Sequence, residues 1–322
     1  MIKILHLDQQ PAFTQLAMKK ISAFENRILP DDVPKEVVLA EIRDAKYVIS
    51  GSKKVEEDYF KVASKLHAVV LPSAGYDYID VEAATKYGVY VINSPGANAN
   101  AVAEMGIGLM LAAARNIPQS CNGVREGQWV DEELRNKNLG WELTGKTMGL
   151  VGLGNIGACV ATMAKGFSMK IFCYTKHPSK EREQKFGVKF VSLGELMKQS
   201  DFVVICAALN PETLSLIGKE QIDLMKKNAF LLNIARGKIV DYDALYKALL
   251  EKKIAGAGVD VLYTEPPGSE HPFFALDNVI VTPHLGSRTR DANERVTNMV
   301  ADEIIRMENG KKPLNAVNQI GN

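Results

Sequence analysis

Two α/β units, each an open parallel sheet covered by helices, are what this 322-residue chain predicts. Short β-like runs alternate with helical patterns over most of the length, as in parallel sheets joined by crossover helices. The alternation breaks once, at an apolar helical stretch over 101–117, and then restarts. The restart opens on a glycine-rich turn set between a strand and a helix. These breaks place one domain at 1–98 with 289–322 and the other at 99–288.

In the first hundred residues the candidate strands are "IKILHL", "YVIS", "HAVVL" and "VYVIN", with amphipathic stretches such as 56–65 and 79–87 between them. The run "AVAEMGIGLMLAAARNI" contains Glu104 and Arg115 and is too short to span a bilayer, so it reads as a buried helix at a domain or subunit interface. An irregular polar segment from Trp129 to Trp141 follows. Later strands read "TMGLVG", "KIFCY", "FVVICA", "AFLLNIA", "AGAGVDV" and "NVIVTP". A last helix is expected over 289–309, returning to the first unit, with the tail "KKPLNAVN" extended.

Composition excludes several classes. Lys+Arg of 39 against Asp+Glu of 38 supplies no general attraction for nucleic acid or an anionic membrane. The start "MIKILHLD" alternates like a strand and lacks the apolar core of a signal peptide. Cys121, Cys159, Cys173 and Cys206 form no CxxC pair, and three sit in apolar stretches. Reduced thiols of a cytoplasmic protein are expected, and no metal site.

Gly152, Gly154 and Gly157 form G-x-G-x-x-G directly after an apolar strand and at the start of a helical pattern. The first glycine permits the tight turn, and the second lets backbone approach a pyrophosphate. The third allows close helix–strand packing, and the helix N-terminus offers N–H groups to the anion. About twenty residues on, an NAD site usually carries Asp or Glu at the next strand's end, to bind the ribose 2′-hydroxyl. Here "KIFCY" is followed by Thr175, Lys176 and His177. Thr175 removes the repulsion of a 2′-phosphate, and Lys176 with His177 brings positive charge. The expectation is NADP in preference to NAD.

Three later strands each end near a charged group. "FLLNIARG" ends in Arg236, "AGAGVDVLYTEP" runs through Asp260 to Glu265, and "NVIVTPHLG" ends in His284. In open parallel sheets ligands bind outside the carboxyl ends of the strands, so these groups can converge. The set suits hydride transfer to a 2-oxo acid. Arg236 can hold the carboxylate through paired N–H donors. His284 can protonate the developing alkoxide, with Glu265 orienting and charging the imidazole. Asp260 is available to accept a hydrogen bond from a nicotinamide amide. His6 and His67 read as structural, and His271 lies outside the set.

These stretches resemble the D-isomer-specific 2-hydroxyacid dehydrogenases. "GKTMGLVGLGNIG", "LLNIARGKIVD", "GVDVLYTEP" and "VTPHLGS" look like that family's signatures, in order, and "SAGYDYIDVEAATKYGVYVINSPGANANAVAEMGIGLML" resembles its first-domain stretch. The resemblance implies two Rossmann-like or flavodoxin-like domains with the active site in the cleft between them. It implies His284 as proton donor, Glu265 as its partner and Arg236 as the substrate arginine. Main-chain N–H groups near Ala74 and Gly75 would help hold the substrate carboxylate. Coenzyme contacts would come from Gly152, Gly154, Asn155, Ile156 and Gly157, and from Thr175, Lys176 and His177. Further ones would come from Cys206, Ala207, Ile234, Ala235, Arg236, Asp260, His284 and Gly286. Family members are usually homodimers packed through the long helix, here 101–117.

Reduction of glyoxylate or hydroxypyruvate with NADPH is the expected activity. A phosphoglycerate dehydrogenase or a D-lactate dehydrogenase is the alternative within the family. The chain stops soon after its last helix, without the regulatory domain that many phosphoglycerate dehydrogenases carry. From another class comes a nucleotide-sensing corepressor that binds peptides, although no appended tail or linker is visible to carry such partners.

Overall fold

The computed structural model describes residues 2–9, 13–129, 132, 136 and 139–321. Contacts divide the chain into two compact units, Met1–Asn98 with Ser287–Asn322 and Ala99–Gly286. The second crossing thus lies two residues ahead of the expected 289. Leu285 and Gly286 are tied back to the second unit by Asp260, and the chain is released only after them.

The first unit has five strands: β1 (Lys3–His6), β2 (Glu25–Ile28), β3 (Ala45–Ile49), β4 (Ala68–Val70) and β5 (Tyr90–Ile92). They lie parallel in the order β2-β1-β3-β4-β5, a flavodoxin-like arrangement. Alternate residues feed opposite faces. Leu5, Val48, Val69 and Val91 enter one core, while Ile4, Tyr47, Val70 and Ile92 enter the other. Val300, Ala301 and Ile304 of the helix Arg290–Glu308 close that second core. Thr289 caps this helix by accepting the N–H of Ala292 at 3.0 Å. Its sequence neighbours in the second unit are left behind because its apolar face has a ready core here. β2, "ENRI", has no sequence signal: it is a polar edge strand that pairs through its backbone and through Asn26, which meets the His6 ring of β1 at 3.2 Å.

The second unit has seven parallel strands: β6 (Thr147–Val151), β7 (Lys170–Tyr174), β8 (Lys189–Phe190), β9 (Phe202–Ile205), β10 (Phe230–Asn233), β11 (Gly256–Val259) and β12 (Val279–Val281). Their order is β12-β11-β10-β9-β6-β7-β8, doubly wound with its switch point between β6 and β9. Met148, Leu150, Phe202, Val204, Phe230 and Leu232 face one core. Val151, Val203, Ile205 and Leu231 face the other. Burial on both faces explains why the strands read as continuous apolar runs. Each fully buried Val, Leu, Ile or Phe contributes about 1.5–3 kcal/mol.

The helix expected over 101–117 runs from Ala99 to Ala114. Asn116 then turns left-handed at φ 49°, and a second helix, Ile117–Arg125, starts with Pro118 in its first turn. Proline lacks the N–H needed to continue the first helix and is tolerated at the start of the next. Most of the polar segment expected from Trp129 to Trp141 lies outside the described residues. Among the described residues no helix is long and apolar enough to cross a membrane, and no cluster of metal-binding side chains occurs. All four cysteines are free, but Cys121 is exposed and Cys159 half-buried, so only Cys173 and Cys206 are core thiols.

Candidate active site

The glycine-rich turn joins β6 to the helix Asn155–Lys165. Gly152 has φ +97°, and a Cβ there would lie 2.7 Å from the Ala207 nitrogen, so Cys206–Ala207 can close against the turn only over a glycine. A Cβ on Gly157 would lie 2.3 Å from the Gly152 carbonyl oxygen, which presses the helix onto the strand. Gly154 differs: a Cβ there meets nothing within 4 Å. It is the N-cap, its helix takes no side-chain cap, and Asn155 and Ile156 begin the first turn. Uncapped N–H groups beside open space suit a dinucleotide's pyrophosphate, and the residues present therefore fit one.

The residues after β7 have partners of their own. Thr175 follows β7, and its hydroxyl accepts the His177 N–H at 3.5 Å. Lys176 forms an ion pair with Glu212, so its charge already has a partner in the loop after β9. Arg182 carries no motif signal in the sequence. Ser179 caps its helix, Lys180–Phe186, and the guanidinium donates to the His177 carbonyl at 2.7 Å and to the Leu153 carbonyl. It thereby ties the glycine turn to the residues after β7. In sequence, "SKEREQ" has only the look of a solvated helix.

Strands β10, β11 and β12 are neighbours, and their carboxyl ends bring Arg236, Glu265 and His284 together. Nδ1 of His284 meets Oε2 of Glu265 at 2.7 Å. The other carboxylate oxygen, Oε1, accepts the Leu262 N–H at 2.8 Å. Burial pushes the Glu265 carboxyl up. The His284 bond, the Leu262 N–H and the charges of His284 and Arg236 outweigh it, leaving the group below the ordinary 4.5. Arg236, half-buried, caps the short 3-10 turn Gly237–Ile239 and donates from its guanidinium to the Ala235 carbonyl at 2.9 Å. Ile234 and Ala235 before it are buried.

The carboxylate of Asp260 has partners within the chain. The residue is 2 % exposed, and its carboxylate accepts the Thr282 hydroxyl at 2.6 Å, the Leu285 N–H at 2.8 Å and the Gly286 N–H at 2.7 Å. Gly286 is required there, since a Cβ would approach that carboxylate to 2.9 Å. Asp260 therefore shapes the loop that holds His284 at φ 54°. His271 accepts the Phe273 N–H and caps a 3-10 turn, while His6 is buried against Asn26. Within the first unit, the carbonyls of Ala74 and Gly75 are held by Asn93 at 2.7 Å and Ser73 at 2.8 Å. No acceptor among the described residues takes their N–H groups.

Comparison with known proteins gives the family. Residues 107–286, more than half of the chain, match the model of the D-isomer specific 2-hydroxyacid dehydrogenase NAD binding domain. The chain belongs to that family. The dehydrogenase is 40 % identical over 299 residues to a glyoxylate reductase of Korarchaeum cryptofilum, covering 92 % of this chain and 90 % of the relative. It is 41 % identical over 320 residues to a D-3-phosphoglycerate dehydrogenase of Methanocaldococcus jannaschii, covering 99 % of this chain and 60 % of that protein. The crystal structure of an NADPH-dependent glyoxylate/hydroxypyruvate reductase from Sinorhizobium meliloti, in complex with NADP and malonate, superposes with a TM-score of 0.86. That pair is 26 % identical, over 98 % of this chain and 96 % of the other. The protein is an NAD(P)-dependent oxidoreductase with two parallel-sheet α/β domains.

The Glu265–His284 pair makes a pH prediction. A carboxylate whose folded pKa lies below its unfolded value contributes stability that is present above pH 4.5 and is lost as pH falls through the folded value. The melting temperature of the wild type should therefore drop below pH 4.5 more steeply than that of Glu265→Gln. Parallel curves would mean that the pair adds nothing to stability.

Proposed function

We propose that the enzyme reduces a small 2-oxo acid of the glyoxylate or hydroxypyruvate type to the D-2-hydroxy acid, preferring NADPH. The observation that carries this is the 2.7 Å contact between His284 and Glu265, formed on strands beside the one that ends in Arg236. A bound nicotinamide coenzyme supplies the hydride. With Nδ1 donating to Glu265, the Nε2 proton of the imidazolium is left to pass to the substrate's carbonyl oxygen. Glu265 holds the ring's orientation and stabilises its charge. Arg236 binds the carboxylate with paired N–H donors, and within the first unit the N–H groups of Ala74 and Gly75 are proposed as carboxylate donors. Domain 1–98 with 289–322 is read as the substrate domain and 99–288 as the coenzyme domain.

The lack of an acid after β7 supports NADPH, as does the Thr175 hydroxyl there; Lys176 would have to exchange Glu212 for a 2′-phosphate. Oxidation of NADPH and of NADH, followed side by side with hydroxypyruvate, tests both the reaction and the preference. NADPH should give the higher kcat/KM. A preference for NADH would keep the reductase and cancel the coenzyme reading, and absence of turnover with either would reject this substrate class. The relative in Methanocaldococcus jannaschii supports a second reading, which faster turnover of 3-phosphohydroxypyruvate would establish.

Four free thiols support a cytoplasmic setting. A homodimer is proposed through the helix Ala99–Ala114, whose exposed side carries Glu104 and Gly108. A Cβ on Gly108 meets nothing within 4 Å, which leaves room for a second helix.

A further inference from the structure

Asn233, the last residue of β10, is 0 % exposed, and a buried carboxamide must find partners for both of its ends. Its oxygen accepts the Ala235 N–H at 3.1 Å, and its nitrogen donates to the Arg236 carbonyl at 3.0 Å. The same nitrogen reaches the Tyr242 hydroxyl at 3.5 Å. That hydroxyl donates in turn to the carbonyl of Val261, beyond β11. Leu262 is the next residue, and its N–H holds Oε1 of Glu265.

The Tyr242 ring is fixed independently of its hydroxyl. It opens the helix Tyr242–Leu250, which Asp241 caps, and it stacks on Phe273 with centroids 5.3 Å apart. The two strand ends that it joins are in backbone contact: a Cβ on Gly237 would lie 2.0 Å from the Leu262 carbonyl oxygen. Nothing bulkier than hydrogen separates the turn after Arg236 from the segment that leads to Glu265. Small displacements of either backbone therefore pass to the other.

We propose that Tyr242 is a positioning residue: its hydroxyl locks the backbone after Arg236 to the backbone before Glu265, and so sets the carboxylate at the height that meets His284. The inference rests on the His284–Glu265 reading. Burial and the nearby Glu265 charge push the phenol's pKa up, so it remains a neutral donor throughout the working pH range.

Tyr242→Phe removes the hydroxyl and keeps the ring on Phe273. It should lower kcat about 5–10-fold, the effect of one net hydrogen bond. The coenzyme Kd, from NADPH fluorescence titration, should stay the same. In a Glu265→Ala background, where no carboxylate is left to place, the same substitution should change kcat less than about twofold. Full kcat in Tyr242→Phe, or an equal loss in both backgrounds, would overturn the proposal. Full kcat in Glu265→Ala alone would instead remove the His–Glu reading, and the inference with it.

Discussion

Replacing His284 by alanine is expected to lower kcat by ~10²–10⁴-fold, the usual contribution of a general acid. Coenzyme binding and fold should be nearly unaffected, for a reason visible in the loop. Its shape depends on Asp260, which takes the N–H groups of Leu285 and Gly286 and the Thr282 hydroxyl. The backbone N–H of His284 is also held, by the Asp260 carbonyl at 2.8 Å. None of these bonds involves the imidazole, so removing it deletes the proposed proton donor from an otherwise intact loop. Steady-state kinetics with a coenzyme titration separate the two effects. Unchanged turnover would sink the assignment of His284.

Arg236→Ala should lower kcat/KM by ~10²–10⁴-fold, because the substrate carboxylate loses two charge-assisted bonds of about 1.5–3 kcal/mol each. Unlike the histidine variant, it should raise KM as well as lower kcat, since the carboxylate is held in the ground state too. Arg236→Lys restores charge but not the planar fork, and should recover only part of the loss. Its backbone carbonyl partners, Asn233 and Ile239, do not depend on the guanidinium, so the melting temperature should move little. A KM within twofold of wild type in Arg236→Ala would place the carboxylate elsewhere.

Much of this was legible along the chain. "KIFCY" became β7 without change, and Gly152, Gly154 and Gly157 took the turn, open cradle and close-packing positions that their spacing implied. Arg236, Glu265 and His284 could be picked out because parallel strands deliver their carboxyl ends to one edge. Other features left no local trace. β2 and β8 are edge strands whose pairing depends on a neighbour rather than on periodicity. The end of the long helix at Ala114 depended on a left-handed Asn116 that the apolar run concealed.

The division follows from the range of the forces. Hydrophobic period, glycine spacing and strand-end chemistry are properties of short stretches, and they determined the sheets, the turn and the catalytic candidates. Partner choice among charged and polar groups is decided by what the fold brings within hydrogen-bond distance. Only the tertiary structure could pair Lys176 with Glu212 and send Arg182 to the Leu153 carbonyl. It alone turned Asp260 toward the His284 loop and set the Tyr242 hydroxyl between two strand ends. Those partners lie 25 or more residues apart for Asp260–Leu285, Arg182–Leu153 and Lys176–Glu212, beyond the reach of any local pattern.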